Sequence, residues 1–99
     1  MQIGYKIREL RQKKGFKQVE FAKSCGLSQS YLSLIEKGKK EPTLSILKRV
    51  ASILEVPTPV LVFLSLDKSD IDDSKKEAYQ SLEPSIKELI SDVFTSEPV

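Results

Sequence analysis

The sequence predicts an all-α fold, and three features of it carry that prediction. Apolar residues recur at helical spacing, as at Ile3, Ile7 and Leu10 near one end and at Ile86, Leu89, Ile90, Val93 and Phe94 near the other. Residues that cap or break helices stand between such runs, notably Gly15, Gly26, Ser28, Thr43 and the Pro57-Thr58-Pro59 triplet. Between Gln18 and Gly38 the apolar period changes across a glycine, which one straight helix cannot satisfy. Two short helices meeting at a tight turn satisfy it.

The elements follow in order. A first helix is expected over residues 2–14, with Ile3, Ile7 and Leu10 inward, most of its Lys and Arg residues elsewhere on the wheel, and Gly15 as its stop. A second spans residues 18–24 and shares Phe21, Ala22 and Cys25 on one face. Gly26 follows where a left-handed backbone is commonly needed, and small Ala22 lets the next helix approach. Ser28 offers its side-chain oxygen to the free N–H groups of a third helix over residues 28–37. If Leu32 and Ile35 of that helix face inward with Leu27, then Gln29, Ser30, Ser33, Leu34 and Lys37 face outward. Such a row, short, mostly uncharged and able to hydrogen-bond, suits base edges in a major groove better than a solvated surface, where Glu and Lys usually dominate.

Lys37, Gly38, Lys39 and Lys40 make a basic loop, after which Pro42 discourages helix and Thr43 caps a fourth helix over residues 44–54. Its apolar residues cover two faces, Leu44, Leu47, Ala51 and Leu54 on one and Ile46, Val50 and Ile53 on the other, as expected of a helix lying across the first three. Thr58 as cap and Pro59 at the first helical position open a fifth helix over residues 59–66. It is almost wholly apolar from Val60 to Leu64, so part of its surface needs another cover. Residues 67–73, DKSDIDD, read as an acidic linker, and Ser74 with Glu77 has capping-box spacing before Ala78, Tyr79 and Leu82. Pro84 starts or kinks the last helix, so the region beyond the linker holds one or two helices. Its stripe of Ile86, Leu89, Ile90, Val93 and Phe94 either folds back on the fifth helix or packs on a second subunit, with Phe63 and Leu64 as further partner-surface candidates.

Ninety-nine residues, 39% hydrophobic and 30% charged, are enough for one domain with a modest core. The net charge of +2 conceals an asymmetry: residues 1–49 carry twelve Lys/Arg against four Glu, and residues 50–99 carry four Lys against ten Asp/Glu. Polyanion binding is therefore expected of the first half alone. There is no His, and Cys25 is the single cysteine, so an internal disulfide is impossible and the common His/Cys zinc sites cannot be assembled; no cofactor or metal is expected. Cys25 falls on the buried face of the second helix, where a thiol acts as a small hydrophobe. Without a nucleophile and base set, an enzyme is not expected. The opening residues contain no apolar export segment and the longest apolar run, residues 60–64, is too short to span a bilayer, so a cytoplasmic protein is expected.

The spacing of Gln18, Phe21-Ala22, Gly26-Leu27-Ser28, Tyr31-Leu32, Ile35-Glu36 and Gly38 resembles the helix-turn-helix of the phage repressor/Cro-like (XRE) family of DNA-binding proteins. The resemblance extends over roughly residues 3–65 and stops short of the C-terminal third. It implies a five-helix repressor-like DNA-binding domain over residues 1–66, while the residues beyond it read by themselves as an acidic linker at 67–74 and a dimerisation or partner-binding tail at 75–99. The resemblance also implies that Arg11 pairs with Glu36 and that Gln18 donates to a phosphate. The third helix becomes the recognition helix. Ser28 stands at the head of its ridge, Gln29 can grip adenine in bidentate fashion, Ser30 and Ser33 donate or accept, and Leu34 meets a thymine methyl or simply stays on the surface. Tyr31 reaches a phosphate or covers the turn, and Lys37, Lys39 and Lys40 clamp the backbone by analogy with other helix-turn-helix proteins.

The function expected is a homodimeric, sequence-specific transcriptional regulator of double-stranded DNA, a repressor on a palindromic operator. The rival expectations are an interaction module of the same fold, like an antitoxin or an antagonist-controlled regulator working through its tail, or a restriction-modification controller.

Overall fold

In the computed structural model, which describes residues 1–94, the apolar runs become six α-helices with no strand among the described residues. They are α1 (Ile3–Lys13), α2 (Gln18–Ser24), α3 (Gln29–Glu36), α4 (Leu44–Leu54), α5 (Thr58–Ser65) and α6 (Lys76–Phe94). Two helix starts are fixed by the expected side chains: the Ser28 hydroxyl accepts from the Tyr31 N–H at 3.1 Å and the Thr43 hydroxyl from the Ile46 N–H at 3.2 Å. Each such cap contributes about 1 kcal/mol. Gly26 adopts φ +71°, the left-handed turn that lets the chain leave α2 and start α3 within a few residues.

Helices α1 to α5 enclose one core. Ile7, Phe21, Ala22, Leu32, Val50, Leu54 and Leu61 are sealed from solvent, and Cys25, Ile35 and Ala51 nearly so. Burial of each large aliphatic side chain contributes about 1.5–3 kcal/mol, and this drive is what holds the five short helices in place. Helix α1 packs on α3 and α5, α2 on α3, and α4 on α5. The α1–α3 crossing is so close that a Cβ at Gly4 would lie 1.8 Å from the Ile35 carbonyl oxygen.

Several expectations need correction. Helix α5 begins one residue early: Pro57 is the cap, Thr58 makes no capping hydrogen bond, and Pro59 sits at the second position, because Pro57 already supplies the extended backbone a cap requires. Leu64 is not partner surface, since it is buried among its own chain's residues. Phe63 is half-buried beside an open apolar groove of about 610 Å³ that Leu44, Val62 and Leu66 also line. Leu44 stays exposed, so α4 uses a narrower face than its composition allows.

The acidic stretch is ordered as two short 3-10 turns, Lys68–Asp70 and Asp73–Lys75. The capping box lies at the first of them, between Asp67 and Asp70, and Asp72 rather than Ser74 accepts from the backbone before α6. Aspartates recruit nearby N–H groups well in tight turns, which is why a run that reads as linker folds here. The Met1 amine adds a contact, donating to Asp70 at 2.9 Å.

Beyond the turns one helix runs through Pro84 without a break into a second. It is moored to the end of α5 by polar groups: the Tyr79 hydroxyl donates to the Glu83 carboxylate at 2.5 Å and stands 3.3 Å from the Leu66 carbonyl, which Lys87 Nζ also meets. The apolar stripe is not folded back: Ile86, Leu89, Val93 and Phe94 are exposed, and Leu82 with them, while Ile90 is half-buried. The last five residues of the tail expected at 75–99 lie outside the described residues.

Candidate nucleic-acid interface

The face opposite the core is built on α3. Leu32 and Ile35 anchor that helix from behind. Gln29, Ser30 and Leu34 are exposed on the other side, with Ser33 half-exposed between them and Lys37 at the far end. Ser28 is exposed, and with its oxygen already accepting the helix-opening N–H it still has its hydroxyl proton and one lone pair to offer. Tyr31 is half-buried and packs against the core beside Leu27. Lys39 and Lys40 are exposed in the loop that follows, where both backbone N–H groups return to the Leu34 carbonyl, at 2.9 and 3.2 Å. That pair of hydrogen bonds to one carbonyl turns the loop back along the end of α3.

The carboxylate at the end of α3 is neutralised by a buried partner. Glu36 is only 5% exposed and Arg11 6%. Arg11 Nε donates to one Glu36 oxygen at 2.8 Å and its Nη2 to the other at 3.0 Å, in a bidentate fork. The remaining guanidinium nitrogen, Nη1, donates to the Phe16 carbonyl at 2.8 Å, which ties the α1–α2 turn into the same unit. Gln18 Nε2 donates to Glu36 at 3.1 Å, and the Gln18 oxygen accepts from Gln29 Nε2 at 3.3 Å. A chain of hydrogen bonds thus runs from α1 through α3 and α2 to the first residue of α3. Gln29 keeps its own carbonyl oxygen and one N–H, the pair a bidentate contact to adenine requires. Every buried side-chain nitrogen and oxygen among the described residues has a partner.

Two arginines that border or brace this face escape sequence reasoning. Arg8 lines a polar cleft of about 380 Å³ together with Arg11, Gln18, Ser33, Glu36 and Lys37, so an exposed arginine borders the outward row of α3. The signal was its position one turn before Arg11, on the same side of α1. Arg49, on α4, donates through Nη1 to the Cys25 carbonyl at 3.1 Å and so holds the end of α2 from the far side. No spacing rule connects α4 to that turn, and only the packing reveals it. Burial pushes the Cys25 thiol up from its ordinary value, in keeping with an inert packing role.

The family description "Helix-turn-helix" matches residues 7–61. The chain is 29% identical over 96 residues to the HTH-type transcriptional regulator SinR of Bacillus subtilis, covering 95% of this chain and 78% of SinR. It is 39% identical over 59 residues to the ImmF control region 10 kDa protein of Bacillus phage phi105, covering 60% of this chain and 66% of that protein. The same phage's immunity repressor protein is 36% identical over 62 residues, covering 63% of this chain and 43% of the repressor. Among solved structures, the clp gene regulator ClgR of Corynebacterium glutamicum aligns with TM-score 0.65 at 24% identity, over 87% of this chain and 92% of that one, a likeness of fold.

Proposed function

The chain belongs to the XRE-type helix-turn-helix family of DNA-binding transcription regulators, which are not enzymes, and from that premise we propose that it is a sequence-specific repressor that binds a palindromic operator as a homodimer. The observation that carries the reading is the outward row of α3, Gln29, Ser30, Ser33 and Leu34, backed by an Arg11–Glu36 pair that neutralises the carboxylate at the end of that helix.

On this reading residues 1–66 are the DNA-binding unit and the helix beyond the acidic turns is the assembly element. Each copy lays α3 in a major groove, with half-sites about one helical turn, roughly 34 Å, apart. Gln29 grips adenine while Ser30 and Ser33 select neighbouring bases and Leu34 meets a thymine methyl. Ser28, Gln18 and Tyr31 address the phosphates through their remaining donors, and Arg8, Lys37, Lys39 and Lys40 supply the salt-sensitive share of affinity. Such a role places the protein in the cytoplasm.

The open α6 stripe also favours a second reading, an interaction module whose tail binds a foreign protein. Selection of bound duplexes from a random pool, with sizing of the complex, tests the first. A palindrome bound by two copies is the expected result, and failure to retard any duplex at low ionic strength overturns it. Truncation after Leu66 separates the readings: a lost dimer with residual half-site binding supports the first, and an intact dimer assigns the tail to a foreign partner.

A further inference from the structure

Helices α4 and α5 meet along a groove that the core does not fill. On α4, Leu44 and Lys48 stand one turn apart, and on α5 Pro59, Val62 and Phe63, with Leu66 just past its end, follow at the spacing of one helical face. The groove encloses about 610 Å³, within the range of roughly 300–1,000 Å³ usual for small-molecule sites. Its apolar line from Pro59 to Leu66 is about 10 Å long, at about 1.5 Å of helix per residue. Such a trench suits a medium-length acyl chain. Lys48 is the one charged residue in the lining; it is exposed, and no hydrogen bond or ion pair engages its ammonium group among the described residues. Thr58 adds a hydroxyl that caps no helix N–H. No carboxylate lines the groove, so the complementary ligand is apolar along its length and anionic at one end.

We propose that this groove binds an acyl carboxylate, its chain along α5 and its head group on Lys48, and that occupancy acts on the seating of α6. A second copy of this chain is the less complementary occupant. A two-fold contact presents the same patch from both sides, so it brings a second Lys48 and no carboxylate. The route to α6 runs through Leu66, which lines the groove while its carbonyl accepts from the Tyr79 hydroxyl at 3.3 Å and from Lys87 Nζ. A ligand that packs on Leu66 therefore bears on the carbonyl that moors both α6 side chains. The groove shares no residue with the outward face of α3, so the site stands or falls apart from the DNA-binding reading.

Titration of the full chain with decanoate, below the concentration at which it forms micelles and followed by backbone amide NMR, tests this. The expected result is saturation at one decanoate per chain, with shifts at Val62, Phe63 and Leu66 and, in step with them, at Tyr79 and Lys87. Decyltrimethylammonium has the same tail and the opposite head charge. It should bind about fivefold more weakly, and Lys48→Gln should erase that difference. Leu44→Glu, at an exposed position, puts a carboxylate four residues before Lys48, where it takes the ammonium group for itself and repels the ligand. Decanoate affinity should then fall about tenfold with thermal unfolding unchanged. Equal binding of the two amphiphiles, or uptake of many copies without saturation that Leu44→Glu does not alter, shows adsorption by the tail only and overturns the site. Shifts confined to the groove, with Tyr79 and Lys87 unmoved, overturn the link to α6. If decanoate does not bind, the proposal falls, and a loss of self-association in Leu44→Glu then assigns the groove to a second copy.

Discussion

Arg11 and Glu36 set the terms at the residue scale. Each is nearly inaccessible, and each is the other's only counter-charge in the fork. Burying the pair is weak evidence of net stabilisation, but breaking it leaves a lone desolvated charge. Glu36→Gln should therefore destabilise the fold by about 3–5 kcal/mol, read from urea unfolding. A loss under about 1 kcal/mol would show that solvent relaxes the site. Gln29 sits at the exposed end of the same network, where truncation costs the fold little. Gln29→Ala should instead relax base preference at one operator position by about 1–3 kcal/mol, measured across a set of single-base variants. Uniform binding to all of them would remove Gln29 from the reading row.

Between helices, the closest tolerance is where α1 crosses α3. A methyl group at Gly4 would strike the Ile35 backbone, which cannot rotate aside as a side chain can. Gly4→Ala should cost about 3 kcal/mol, the upper end for overpacking, with loss of helical signal at a lower urea midpoint. The mooring of α6 predicts a pH response instead. The Glu83 carboxyl is held below its ordinary value first by the Tyr79 hydroxyl and then by Lys87, so its contribution is complete above about pH 4.5 and fades as pH falls through the lowered value. Tyr79 is pushed up to about 12, by desolvation first and Glu83 next, so its share holds below pH 10 and is lost as pH rises through about 12. In Tyr79→Phe the Glu83 midpoint should move up toward the usual carboxylate range in an NMR titration. An unmoved midpoint would mean that the two side chains are not in contact.

For the molecule as a whole, the decisive property is the split of charge. The basic half holds α3 and its loop, and the acidic half forms the turns and α6, so the field that draws DNA is concentrated on one side of the chain. Lys39→Ala should weaken binding to all sequences alike and lower the slope of log affinity against log salt by about one. A slope identical to the parent's would detach the loop from the phosphates.

Much of this was written into local chemistry. Helical spacing, the Ser28 and Thr43 caps and the Gly26 turn depend on residues within one or two turns of each other, so periodicity alone marked α1 to α4 closely and put Leu32 and Ile35 behind Gln29 and Ser30. Packing decided what distance in the chain conceals. That Leu64 is buried, that Arg8 borders the cleft, that Arg49 holds the Cys25 carbonyl, and that aspartates fold a stretch resembling a linker all depend on which surfaces meet. Amphipathic spacing names the apolar face of a helix, but only the other helices determine which part of that face is covered, and on α6 they leave Leu82, Ile86, Leu89 and Val93 open.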